Sequence, residues 1–213
     1  MDRTIGFGIL EKPINGGSNP SRLIKMKKHK EKLNIVNEDD NIIGQDTREN
    51  IHKKGLLHRE IWIFIYNKNL DILFQKRSPN KDTWPNKLDV SVGWHVDLGD
   101  DYEYTAIKEL KEETGINAKN TDLLSLGKMK SKHYDPNTNT KNNVIRAVFA
   151  YRFDGKLKEL KIEKGKATSL EFWSFKKLFH LSDEEKSRFI LFDWEEQIFP
   201  FLKKIKELDM VIG

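Results

Sequence analysis

Apolar and polar positions change their period several times along this chain, and each change predicts an element. Residues 33–36 form a short apolar run that predicts a strand, closed by the turn-rich residues 37–41. His58–Tyr66 (HREIWIFIY) is dense in β-branched and aromatic residues, and residues 71–76 (DILFQK) follow after a polar break. Two core strands joined as a hairpin are expected there. After a loop over residues 78–87, residues 88–96 (LDVSVGWHV) alternate as one further strand. From Tyr102 to Thr114 the period becomes helical, and Gly115 stands where a glycine ends a helix. Residues 123–129 and 144–152 read as strands separated by a wet, mobile loop over residues 130–143. A last strand covers residues 170–175, and two amphipathic helices follow Asp183, the second over residues 194–208. A β-rich body, one central helix, more strands and terminal helices predict an α/β sandwich in a single domain.

The central helix carries the first chemistry. Glu109, Glu112 and Glu113 stand at i, i+3 and i+4, so three carboxylates crowd one face. Like charges at that spacing destabilise a bare helix, and a hard divalent cation with oxygen ligands would offset the cost. The plain alternative is a solvated acidic face. The flanks favour the first reading, because a strand and a glycine-containing turn (Gly93 to Asp100) lead into the helix and Gly115 closes it.

This arrangement resembles the Nudix box: Gly, five residues, Glu, seven residues, Arg-Glu, an aliphatic, any residue, Glu-Glu, any residue, Gly, an aliphatic. Glu109, Leu110, Glu112, Glu113, Gly115 and Ile116 match its terminal half. Trp94 replaces the opening glycine, Asp100 the first glutamate and Lys108 the arginine. The resemblance implies an α/β/α sandwich with a mixed β-sheet. It also implies metal-dependent hydrolysis of a diphosphate linkage in a nucleoside diphosphate derivative or similar small molecule. Mg²⁺ or Mn²⁺ would be held by Glu109, Glu112, Glu113 and the carbonyl of Gly93. Glu112 would act as base, with Glu109 and Lys108 in the catalytic group, and Arg77, Asp100 and His95 would meet substrate. A base recruited from outside the box, Glu171 or the segment from His133 to Asp135, is left open. Lys for Arg keeps the charge and loses the planar fork. Trp94 is the larger departure, since an indole cannot give the backbone the freedom that glycine gives.

The likeness extends over roughly residues 33–175, towards the subgroup related to isopentenyl diphosphate isomerase, through Gly55-Leu-Leu-His-Arg59, Gln75-Lys-Arg-Ser78 and Lys81-Asp-Thr-Trp-Pro85. The isomerase needs a cysteine just before the box and a glutamate pair after the long loop. This chain has Gly93 and Asn142-Asn143-Val144 at those places, so isomerisation is disfavoured. Two of the isomerase's metal histidines are matched at His58 and His95, with His52 about one residue off register for a third; structural roles are the expectation for them. A Nudix fold serving only as a ligand-binding module is the non-enzymatic alternative.

Composition narrows this further. The absence of cysteine excludes disulfides, thiolate zinc sites and a cysteine nucleophile. The net charge of +5 resides wholly in residues 1–32, where eight basic side chains face three acidic ones. A basic extension over residues 1–32 and a hydrolase domain over residues 33–213 are expected. A solvated tail is favoured over nucleic-acid binding. The expected partner is a small-molecule diphosphate; no membrane partner is expected, a homodimer is left open, and a cytoplasmic location follows by default.

Overall fold

A computed structural model describes residues 31–81, 83–191 and 193–212. The basic extension therefore lies, as far as residue 30, outside the described residues. Strand β1 (Lys32–Val36) pairs antiparallel with β2 (Ile42–Thr47), and helix α1 (Arg48–Lys54) follows directly. The hydrophobic pattern announces neither β2 nor α1. β2 is an edge strand and largely exposed, and α1 buries only Ile51, so neither shows a clear apolar period. Local chemistry marks the helix instead: Thr47 caps its first turn by accepting from the Asn50 amide, and Gly55 closes it at φ 69°.

Strand β3 (His58–Tyr66) is the spine. It pairs antiparallel with β6 (Val92–His95) and, along its whole length, parallel with β8 (Thr140–Arg152). Strand β4 (Ile72–Arg77) touches β3 only at Tyr66–Ile72, then pairs with β5 (Leu88–Val90) and β9 (Ala167–Trp173). The expected hairpin therefore splays at its turn. The single strand expected over residues 88–96 is broken at Ser91, which donates to the Leu73 carbonyl and accepts from the Ile65 amide, tying together the two strand groups.

Both faces of this mixed sheet are covered. Ile61, Ile63 and Ile65 face helix α2 (Tyr102–Thr114) through Ala106 and Leu110. Phe64 and Tyr66, on the alternate face, pack in the cluster that holds Trp194, Ile198, Leu202 and Ile205, contributed by a π-helical turn (Trp194–Ile198) and α5 (Phe199–Ile212). Two single-turn helices, α3 (Phe175–Leu178) and α4 (Asp183–Lys186), connect β9 to that layer. This is the expected α/β/α sandwich. No helix among the described residues is long and apolar enough to cross a membrane.

The mobile loop expected over residues 130–143 is instead a hairpin. β7 (Leu123–Asp135) and β8 run to thirteen residues each, paired from Leu123–Tyr151 to Asp135–Thr140. Lys128, Lys130 and Lys132 alternate with inward residues, so the polar composition belongs to one solvated strand face. Only residues 136–139 turn. Asp135 organises them, accepting from the Asn137 amide at 3.0 Å and the Thr138 hydroxyl at 2.9 Å.

Candidate active site

A cavity of about 690 Å³ opens where the apolar cover of β3 ends. Along one face of β3 the side chains change from Phe64 and Tyr66 to His58, Glu60 and Trp62. Register places Glu60 beside His95 of β6 and beside Arg146 of β8, so the three share one row across the sheet. Arg146 closes on Glu60 Oε2 from Nη2 at 2.6 Å and from Nε at 3.1 Å, while its guanidinium stacks 3.7 Å from the Trp62 ring centroid. Glu60 Oε1 accepts from Asn142 at 3.0 Å and stands 3.2 Å from His95 Nε2. Burial works to raise the Glu60 pKa, but Arg146 and the other polar neighbours, Asn142 among them, together outweigh it and hold the carboxylate below its ordinary range.

Helix α1 delivers a third imidazole to this row. His52 Nε2 is 3.1 Å from His95 Nε2, and one ring nitrogen from each of His52, His58 and His95 lies within 4.8 Å of the others. Among the described residues this is the one such set of three His, Asp or Glu donors. His58 Nδ1 must donate to the Leu56 carbonyl, 2.9 Å away, which leaves the lone pair on Nε2; that atom is buried and has no hydrogen-bond partner. Burial holds all three rings neutral: His52 is pushed down to about 3, and His58 and His95 are also lowered, with Arg48 adding to the effect. Neutral rings, an orphaned nitrogen and a carbonyl that fixes the tautomer are the donor chemistry of a transition-metal site.

The carboxylates of α2 approach the cavity from the other side of the sheet. Residues 102, 105, 106, 109, 110 and 113 form the buried stripe of the helix, so Glu109 and Glu113 occupy core positions, at 2% and 6% exposure, while Glu112 is exposed. Glu113 accepts from Gln75 at 3.2 Å, and Lys166 lies within 3.2 Å of both buried carboxylates. Burial, joined by Glu113 and opposed by Lys166, pushes Glu109 up to about 7; burial also raises Glu113. Buried carboxylate oxygens of this kind fit a hard divalent cation.

Of the residues the sequence singles out, His52, Gly93, Trp94, His95, Arg77 and Glu113 line the cavity. Glu109 reaches its edge through Lys166, whereas Glu112, Lys108 and Asp100 are not in its wall. Lys108 binds Asp97 at 2.7 Å and Asp100 at 3.6 Å, anchoring the turn before α2. Arg77 spends its guanidinium on Asp89 and on the carbonyls of Thr83 and Trp84, clamping the loop over residues 78–87. A Cβ on Gly93 would stand 3.2 Å from the Trp62 ring and 3.3 Å from Val90, so a side chain there would press on both. His133 and Asp135 are wall residues, while Glu171 pairs with Arg188 away from the cavity.

Sequence reasoning missed Glu60, Arg146, Gln75 and Lys166. Glu60 had a signal, a carboxylate two residues from His58 in an otherwise apolar strand. Lys166 had none, since it belongs to a run of similar lysines.

Residues 56–194 match the family model of the NUDIX domain. An uncharacterised Nudix hydrolase of Clostridium acetobutylicum is 37% identical over 105 residues, which is 48% of this chain and 50% of that protein. A Nudix hydrolase of Deinococcus radiodurans is 36% identical over 86 residues, 40% of this chain and 50% of that protein. The chain thus spans about half the length of these curated relatives. The crystal structure of DR0079 from Deinococcus radiodurans covers 70% of this chain and 87% of its own with a TM-score of 0.56, at 24% identity, a likeness of fold.

Proposed function

The chain belongs to the Nudix family, and on that premise we propose that it hydrolyses a diphosphate linkage in a nucleoside diphosphate derivative or similar small molecule bound in this cavity. The observation that carries the reading is the pair Glu109 and Glu113, buried at core positions of α2 beside a cavity whose wall includes Arg48, Arg77 and Arg146. Buried carboxylates call for a cation; Lys166 supplies one, and the same oxygens suit a hard divalent ion at the cavity.

The buried pair Glu109 and Glu113, with the Gly93 carbonyl, would hold Mg²⁺ or Mn²⁺. When bound, such an ion neutralises diphosphate oxygens and makes a coordinated water acidic. The protein's own part is to orient. The stacked Trp62 and Arg146 offer a flat wall, Arg77 holds the loop that bounds the cavity, and Glu112, solvent-exposed on the same helix, is the carboxylate able to take a proton from water. Isomerisation remains disfavoured, because the tight packing of Gly93 against Trp62 leaves little room for a side chain at the isomerase's cysteine position.

The test is turnover of a panel of diphosphate compounds with Mg²⁺ or Mn²⁺, alongside Glu112→Gln and Glu113→Gln. Loss of rate of about 10²–10⁴-fold in Glu112→Gln supports its role as base. Absence of turnover across the panel, with ligands still binding, would replace the enzyme by a binding module.

A second cation site is favoured by a separate observation, the unpartnered Nε2 of His58 within the histidine cluster. We propose that His52, His58 and His95, with Glu60 beside them, bind a borderline ion such as Zn²⁺ or Co²⁺. Co²⁺ titration should give the visible absorption of a nitrogen-ligated site, abolished in His58→Ala. A colourless, unsaturable titration would rule this site out.

A further inference from the structure

The cation that now holds the carboxylates of α2 comes from a distant turn. Lys166 directly precedes β9, and its Nζ lies 2.8 Å from Glu113 Oε1, 3.2 Å from Glu109 Oε2 and 3.2 Å from Glu163 Oε2. The same ammonium sits 3.9 Å from the centroid of the Trp94 ring. The side chain is 12% exposed and forms part of the cavity wall. Its backbone is pinned, because the Ser78 amide donates to the Lys166 carbonyl at 3.0 Å. The four-carbon stem above that anchor is flexible, so the ammonium can move while the Cα does not.

An ammonium and a hard divalent ion seek the same carboxylate lone pairs. The two cations compete for Glu109 Oε2 and Glu113 Oε1 and repel one another, so a divalent ion there pushes the ammonium outward, towards Glu163 and any anion in the cavity. We propose that Lys166 is a substrate-binding residue with two positions. In the first it neutralises Glu109 and Glu113. In the second, once a divalent ion takes those carboxylates, it holds a phosphate oxygen of the diphosphate in the cavity. This rests on the reading that the cavity takes a diphosphate.

The proposal gives Trp94 a purpose. Its indole stands at the glycine position of the box, with the electron-rich face against the ammonium, and so can steady the cation between its two positions. It also couples the ligands. Ion binding costs the displacement of Lys166 from two of its three carboxylates, and a diphosphate in the cavity lowers that cost, so ion and diphosphate should each tighten the other by the same factor.

The experiment is Mn²⁺ binding, read from the free-ion EPR signal, with methylenediphosphonate as a non-hydrolysable probe and each titration corrected for the Mn²⁺ that the probe chelates in protein-free solution. In wild type, the probe should tighten Mn²⁺ at least about tenfold, a typical coupling. In Lys166→Met, Mn²⁺ alone should bind at least tenfold tighter than in wild type, and the probe should add little. Adding Glu113→Gln to Lys166→Met should remove the gain, assigning it to the carboxylates rather than to the histidines. Equal or weaker Mn²⁺ affinity in a folded Lys166→Met protein, or an undiminished probe effect, overturns the proposal. A measurement on wild type covers the case in which that variant does not fold. Acetylation of Lys166, followed by peptide mass mapping, should be slow without ions, faster with Mn²⁺ alone and slow again with Mn²⁺ and probe. Reactivity indifferent to Mn²⁺ would equally sink the idea. No arm depends on turnover, so a failed hydrolase assay and a failed Lys166 assay are separate results.

Discussion

Glu60 of β3 and Arg146 of β8 face one another across a parallel ladder, with Arg146 Nη2 2.6 Å from Glu60 Oε2 and both residues under 10% exposed. The pair fixes Glu60 so that its second oxygen remains for Asn142 and His95. Arg146→Met should strand a buried charge and cost about 3–5 kcal/mol of stability. Urea denaturation checks this; a loss below 1 kcal/mol would mean that Glu60 finds another partner. The double variant Glu60→Gln/Arg146→Met should recover part of the loss.

Gly93→Ala tests the packing reading of that glycine. Its new Cβ would press on Trp62 at 3.2 Å and Val90 at 3.3 Å, and overpacking of this kind costs about 1–3 kcal/mol. Gly44→Ala is the control, because its Cβ would meet only Ile35 at 3.8 Å. Equal thermal melting points for the two variants would show that the Trp62 contact yields freely.

The histidine cluster makes stability depend on pH. His52 is held down to about 3 in the folded, ion-free protein, while the unfolded chain takes up the proton below about 6.5. Its contribution is therefore fully present above pH 6.5 and is lost as pH falls from there towards 3. Glu109 acts in the opposite sense. Its folded value, raised to about 7, gives stability present below 4.5 and lost as pH rises through 7. Glu113, likewise raised by burial, acts with Glu109, while His58 and His95, likewise lowered, act with His52. Between pH 8 and pH 5, the wild-type advantage over His52→Asn should shrink by about 2 kcal/mol, measured with a chelator present. A pH-independent difference would contradict a neutral, buried His52.

The β7–β8 hairpin should reveal itself by hydrogen exchange. Paired amides within residues 128–135 and 140–147 should be protected, and residues 136–139 should exchange quickly. Asp135→Ala should speed exchange at the tip and cost about 1 kcal/mol. Uniformly fast exchange over residues 130–143 would restore the mobile loop that composition suggests.

Much of this fold is legible locally. Helix α2 begins and ends where its apolar period and Gly115 place it, and β3 is visible in HREIWIFIY. The elements that escape the pattern are those whose neighbours supply the order. β2 is held as a largely exposed edge strand, α1 by one buried isoleucine and its caps, and the tip of the hairpin by cross-strand pairs in a segment rich in lysine and asparagine.

For the site, the sequence by itself determined that Glu109, Glu112 and Glu113 share a helix, because helical spacing is fixed by backbone geometry. It also determined that no thiol takes part, because the chain has none. Only the tertiary structure decided which carboxylates face inward, that Lys166 stands between two of them, and that His52, His58 and His95 converge with Glu60. The physical reason is sequence distance. Contacts between residues 43 or 57 positions apart depend on strand register and on how two sheet faces are covered, and no local period encodes either.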